Sequence, residues 1–529
     1  MIEISLSHLT YPPHGEEEFS FFGQVLKDCR DATVKQSCVG PFLHQAFLLF
    51  LALFLTSCTT VGPDHLPPTS EMPEAWRSVS DVSLATDRRM NPAWWSVFDD
   101  PVLDRLIERA STGNLDLKTA VARVKEARAG VGVVTGVYFP QIDAQAELAA
   151  QRGSENALAG IGLEGNRYAL GLDSIWEIDL FGRITRSVEA AAAVYQATRE
   201  DRRDVQVSLY AEVARNYLTV RTLQARLAAT LGNIKSQRQI LDLTRTRFRY
   251  GLATDLDVAQ AEDVLANSEA QVPPLRSALS QTINTVALLL GQAPGAVHAE
   301  LSEAKPIPLP PLEVAVGVPA DLLRQRPDIR RAEREVAAQT ARIGIATADL
   351  YPTLTLLGTV GLEAENVGDL FSGGSHFYTL GPSLRWNVFA GGSIRSRIQV
   401  EDAKAEQALL QYEQTVLRAL NEVENAMTAY LEERRRLEAL KRSVSAARRT
   451  LKLAVQLYKD GLRDFQNVLD AERNVFDVEN QLAMAQGNLA INLVQIYRAL
   501  GGGWEAEVSQ TGEGIGRHLR EHPQPAHSS

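Results

Sequence analysis

The chain repeats itself. Gly171 and Gly381, Gly182 and Gly392, Gly251 and Gly461, and Gly291 and Gly501 each stand 210 residues apart, and Phe139-Pro140 is answered by Tyr351-Pro352 at 212. Four glycine pairs at one spacing, with matching patterns between them, indicate an internal duplication. The fold is thereby restricted to two copies of one plan.

Each copy contains stretches that alternate with a period of two. In the first, Tyr168, Leu170, Leu172, Ser174, Trp176, Ile178 and Leu180 share one face, opposite Ala169, Gly171, Asp173, Ile175, Glu177 and Asp179. The second copy answers with Tyr378, Leu380, Pro382, Leu384, Trp386 and Val388 against Thr379, Ser383, Arg385 and Asn387, a strand expected over 378–389. Two more follow the prolines: Ile142, Ala144, Ala146 and Leu148 against Gln141, Asp143, Gln145 and Glu147 after Pro140, and Leu354, Leu356, Val360 and Leu362 against Thr353, Thr355 and Thr359 after Pro352. About a dozen residues exceeds the usual strand and suits a tilted strand crossing a bilayer.

Between these strands lie long helical stretches. From Arg183 to Tyr250 there is one glycine, Gly232, and no proline; from Ile394 to Asp460 there is neither. At 1.5 Å per residue each makes about 100 Å of helix. Leu409, Tyr412, Val416, Ala419, Val423, Ala426 and Tyr430 recur by threes and fours, and the register resumes at Leu437, Leu440, Val444, Ala447, Leu451, Ala454 and Tyr458, a coiled-coil seam. Gly251 and Gly461 break these helices, and partner helices return to Gly291 and to Leu500. Pro140, Gly182, Pro352 and Gly392 mark the strand–helix breaks.

Four half-polar strands cannot close a barrel alone, and an open edge is untenable in lipid. The chain is therefore expected to oligomerise. Two copies give eight strands with a filled interior; three give twelve, with a lumen lined by Asp143, Glu147, Asp173, Glu177, Asp179, Arg385 and Asn387. Trp176 and Trp386 are placed toward lipid near the interfaces. The fold class is mostly α with a transmembrane β-barrel, four strands per chain completing a trimeric twelve-stranded barrel continuous with a long α-helical coiled-coil barrel.

A net charge of −11 with no dense basic run argues against nucleic acid as a partner. The three cysteines, Cys29, Cys38 and Cys58, all precede the repeats and can build neither a disulfide framework nor a metal cluster in the folded body. Residues 42–55 form an apolar run too short to span a membrane and suited to a signal-peptide core. Leu55-Thr56-Ser57-Cys58 follows and resembles a bacterial lipobox, which would make Cys58 the acylated first residue of the mature chain. Thr59, and not aspartate, follows it. Some forty residues precede the apolar run, so the true start is expected near Val34 or Val39.

The resulting organisation is a signal segment over 1–57, a lipidated tether over 58–100, repeat one over 101–291, a proline-rich linker over 292–318, repeat two over 319–503 and a disordered tail over 504–529.

Two motifs offer chemistry that their surroundings do not support. Gly160, Gly162 and Gly165 spell a dinucleotide fingerprint, but lie between two strands and open no helix, and so read as hairpin loop. His518, Glu521 and His522 fit an inverted zinc-peptidase string, yet glycines precede it and Pro523 follows, with no third ligand. No enzyme activity and no cofactor is expected.

SIWEIDLFGR (174–183), RPDIRRAE (326–333), ATADLYPTLTLLG (346–358) and LYKDGLRDFQNVLDAERNVF (457–476) together resemble the TolC-like outer-membrane factors of tripartite efflux pumps, in their lipoprotein, NodT-type branch. The resemblance covers roughly residues 59–503. It implies a homotrimer in the outer membrane, docking to a periplasmic adaptor and an inner-membrane RND-type transporter, and passive exit of drugs or other small molecules. It also makes the two helix-breaking turns the periplasmic tips, with Gly251-Leu252 and Gly461-Leu462 meeting the adaptor. Arg463, Asp470 and Arg473 take the positions of the residues that close the aperture, Asp470 with Arg473 at i,i+3. Some members have an aspartate where this chain has Asn467, so its ring of negative charge is weaker. The competing readings are a non-channel envelope scaffold and, among channels, a metal-ion efflux or type I protein secretion duct.

Overall fold

A computed structural model describes residues 60–69, 71–77, 84–85, 91–154, 164–308, 314–315 and 325–504. Cys58, the signal segment, Gly160, Gly162 and the HLREH string lie outside the described residues.

The duplication is visible element by element. Repeat one contains α1 (Pro101–Gly113), α2 (Leu115–Gly136), strands β2 (Gln141–Arg152) and β3 (Glu164–Ile178), then α3 (Arg183–Arg249), α4 (Asp255–Ala270) and α5 (Val272–Leu289). Repeat two contains α7 (Pro327–Ala348), β5 (Thr353–Ala364), β6 (His376–Arg385), α8 (Ser393–Lys459) and α9 (Phe465–Ala499). The long helices α3 and α8 are both 67 residues. Between the repeats lie α6 (His298–Ser302) and β4 (Val314–Ala315), which pairs in parallel with β1 (Leu84–Ala85) of the segment before repeat one.

The one large sheet runs β2-β3-β5-β6, antiparallel throughout, with β3 pairing β5 across the repeats. Its register aligns Ala144, Leu172, Val360 and Tyr378 on one face, and Asp143, Asp173, Thr359 and Thr379 on the other. Ile142, Leu148, Leu170, Leu172, Val360, Tyr378, Leu380 and Leu384 are exposed on the first face. On the other face Arg167 bridges Glu147 at 2.9 Å and Glu363 at 3.0 Å, and Thr359 donates to Asp173 at 2.8 Å. One face is apolar and bare, the other laced with polar links, as a bilayer and a lumen require.

β6 ends at Arg385, short of the expected Phe389, because the Trp386 indole leaves the sheet and donates to the Leu350 carbonyl at 3.0 Å. Trp176 donates likewise to Tyr138 at 2.9 Å. Tyr138 and Leu350 follow α2 and α7, so each indole ties the far end of its hairpin's second strand to the helix that leads into the first, at repeat-related corners. Asp179 does not line the strand face; it caps α3, accepting from the Ile184 and Thr185 amides at 3.0 and 2.8 Å. Gly165 lies inside β3, where a loop was expected.

All four glycines that close the long and returning helices adopt positive φ: Gly251 at 71°, Gly291 at 70°, Gly461 at 72° and Gly501 at 78°. After each, the next amide reaches back five residues: Leu252 to Arg247, Gln292 to Ala287, Leu462 to Leu457 and Gly502 to Tyr497, at 2.8–2.9 Å. Each is a Schellman stop, which needs a residue without Cβ strain. Three of the four repeated glycine pairs are thus helix boundaries, Gly182 and Gly392 at the starts and the other two pairs at the ends, while Gly171 and Gly381 lie inside β3 and β6.

The largest core lies midway along the helices, where Trp94 stacks on Tyr497 at 5.4 Å and Leu103, Leu106, Leu218, Val286 and Leu493 are fully buried. The segment before α1 is no loose tether. Val61 donates to Phe181, Arg186 donates to the Val61 and Gly62 carbonyls and to Asp64 at 2.7 Å, and Trp76 is buried. Trp504, expected to begin a free tail, is buried too: its indole donates to Gln325 and the Arg203 guanidinium lies 4.5 Å from its ring. Along α8 the expected seam holds with one shift, since Leu409 is exposed and Met427 is buried in place of Ala426.

Candidate functional site

The ends of the helices away from the sheet form two turns side by side. Residues 250–254 join α3 to α4, and residues 460–464 join α8 to α9. The Schellman geometry pushes the residue after each glycine outward: Leu252 is 62% and Leu462 68% exposed. Thr254 then starts α4 through a capping box, accepting from Asp257 N at 3.2 Å while Asp257 accepts from Thr254 N at 2.8 Å. The residue related to Asp257 by the repeat is Asn467, whose side chain instead donates to the Asp464 carbonyl at 3.4 Å.

Behind the turns, Ile240, Leu241, Ala261, Val264, Tyr458, Phe465, Val468 and Leu469 form a separate apolar cluster. Arg247, in the last turn of α3, ties the two turns together. It donates to the Lys459 carbonyl at 2.8 Å and to the Leu252 carbonyl at 3.4 Å, and its guanidinium lies 4.7 Å from the Tyr458 ring centroid. It is a cation placed on the C-terminal carbonyls of α8, where the helix dipole favours it. Burial raises the Tyr458 phenol above its ordinary value.

Arg463, Asp470 and Arg473 are all exposed along the start of α9. Asp470 and Arg473 do not pair with one another: Asp470 accepts from Gln466 at 3.0 Å, and Arg473 reaches across to Asp263 on α4 at 3.9 Å. Both face outward from their own chain, and Arg463 makes no ion pair among the described residues. One residue between them behaves differently. Glu472 is 4% exposed, and its Oε1 has no hydrogen-bond partner.

The residues missed from sequence divide in two. Glu472 carried a signal, because it stands where the stripe Phe465, Val468, Val475 and Val478 demands an apolar side chain. Arg247 carried none, since the partners by which it joins the turns, the Lys459 carbonyl and the Tyr458 ring, lie more than two hundred residues along the chain.

At the opposite end, β2 and β6 each have one unpaired edge, and no strand among the described residues covers them. Glu177 is not free to face water as expected; Arg183 Nε donates to it at 2.8 Å.

A family model described as outer membrane efflux protein matches residues 106–292 and 318–502. Nodulation protein T of Rhizobium leguminosarum bv. trifolii is 31% identical over 405 residues, covering 75% of this chain and 84% of its own. The solvent efflux pump outer membrane protein SrpC of Pseudomonas putida is 31% identical over 468 residues, covering 87% of this chain and 98% of its own. Among solved structures, the outer-membrane channel OprN superposes with a TM-score of 0.80 at 37% identity, over 84% of this chain and 99% of that one.

Proposed function

This chain belongs to the outer membrane efflux protein family, as a channel of the outer membrane, and from that premise we propose that three copies join to make one exit duct. β6 of each copy pairs with β2 of the next, giving a twelve-stranded barrel that leaves no edge in lipid. The observation that carries this reading is the open four-stranded sheet, apolar and bare on one face, continuous with two helices about 100 Å long.

In this duct the paired turns are the periplasmic tips. Leu252 and Leu462 supply the exposed apolar contacts for a periplasmic adaptor, which links the duct to an inner-membrane RND-type transporter. Arg463, Asp470 and Arg473 line the narrowing of the helical barrel, where outward-facing charges of one copy meet those of the next. Cys58 carries the lipid. The cargo is drugs, solvents or other small molecules, moving passively once the tips part. Size measurement on the detergent-extracted complex tests the assembly: a mass three times that of the chain supports it, and a stable monomer refutes it.

A further inference from the structure

Glu472 lies on α9 between two apolar clusters, the tip cluster around Val468 and Leu469 and the next one formed by Val444, Ala447, Val475 and Val478. A carboxylate taken from water needs a cation or several donors to offset its desolvation. The helices packed here carry cations, and four of their arginines are engaged elsewhere. On α3, Arg238 pairs with Glu269 and Arg245 with Glu262, each at 2.6 Å; on α8, Arg448 pairs with Glu479 at 2.6 Å; on α9 itself, Arg473 leans to Asp263. The remaining charged groups of this stretch are Lys235 and Asp242 on α3, Asp257 on α4, Arg449, Lys452 and Lys459 on α8 and Asp470 and Asp477 on α9; Arg449 and Lys452 are exposed, and none of these groups makes an ion pair with Glu472 among the described residues. The repeat supplies a control: the residue related to Glu472 is Glu262, which is half exposed and paired with Arg245. The same side chain is solvated in one half of the chain and stranded in the other.

We propose that Glu472 is a proton-operated latch of the duct's tip: protonated, it lets the α3–α4 and α8–α9 hairpins close on one another, and ionised, it drives them apart. This rests on the reading of the tips as the constriction. Burial pushes the Glu472 carboxyl from its ordinary 4.5 up to about 7, and parting the hairpins returns it to water and toward its ordinary value. Between those two pH values the closed seam keeps a proton that the open seam has released. The closed-to-open ratio therefore falls about tenfold per pH unit for each chain as pH rises through that window. Below the window both forms are protonated, above it both are ionised, and the ratio is level.

The test is single-channel recording of the purified complex in planar bilayers between pH 5 and 8.5, on the wild type, Glu472→Gln, Glu472→Met and the gate variant Asp470→Ala/Arg473→Ala. The expected result is a wild-type open fraction rising at least tenfold from pH 5 to 7, with Gln and Met variants closed and level throughout. A level wild-type profile overturns the proposal whether or not the variants assemble, and so does a profile that survives in either variant. If the gate variant opens the duct while the wild-type profile is level, the latch alone fails. If the gate variant changes nothing and the profile is level, the tip as constriction fails with it.

Discussion

Arg247 and Tyr458 stand on different repeats, yet the guanidinium of one lies 4.7 Å from the ring centroid of the other and donates at 2.8 Å to the carbonyl of Lys459, the next residue. The two turns are thereby one unit. Removing the cation frees the end of α8 from the turn after α3. Arg247→Ala is expected to lower protection against hydrogen exchange at both turns by about 1–3 kcal/mol. Arg247→Lys recovers only part of this, because an ammonium lacks the planar fork. Loss confined to the 250–254 turn would show that the tips are independent.

The sheet makes a depth-dependent prediction. Leu172 lies mid-strand on the apolar face, between Ala144 and Val360, whereas Ile178 ends β3 beside the helix junction. Leu172→Arg should weaken insertion by about 2–4 kcal/mol, Ile178→Arg by about 0–1 kcal/mol. Gln145→Arg, on the polar face, should be tolerated. Equal damage at Leu172 and Gln145, measured by folding into lipid vesicles, would mean that neither face meets lipid. Glu177 is no control, since an arginine there would confront Arg183.

At the tips, Asp470→Ala with Arg473→Ala should raise conductance and sensitise cells to large antibiotics without lowering trimer yield. Within one chain these residues hold only Gln466 and Asp263, at 3.0 and 3.9 Å, so their proposed work is between chains. Arg435→Ala, a charge paired with Glu432 farther up α8, should change neither readout. Wild-type conductance in the double variant would move the constriction elsewhere.

The proposed lipid acceptor is Cys58. Cys58→Ser should abolish incorporation of labelled fatty acid while the barrel still inserts, its strands being untouched. Persistent labelling would exclude Cys58 as the acceptor.

What the sequence made legible were features with a local period. Alternation gave the strand faces, and the glycine pairs 251/461 and 291/501 gave the helix ends, because a Schellman stop is written within six residues. Trp386 shows the limit: its apolar position continued the alternation, but a hydrogen bond to Leu350 takes it out of the sheet. Trp504 and the Arg186 clasp on residues 61–64 escaped notice because their partners lie more than a hundred residues away. Glu472 was passed over, although a charge on the apolar stripe of Phe465, Val468 and Val475 was a local signal. Whether a cation answered it could be read only once the neighbouring arginines had found other carboxylates.

The central claim is that copies of this chain make a continuous water-filled duct. Recording single-channel current through the purified complex in a planar bilayer tests it most directly. Discrete conductance steps are predicted, enlarged when Asp470 and Arg473 are removed. A complex that inserts into the bilayer and passes no current, with or without those residues, would contradict the account.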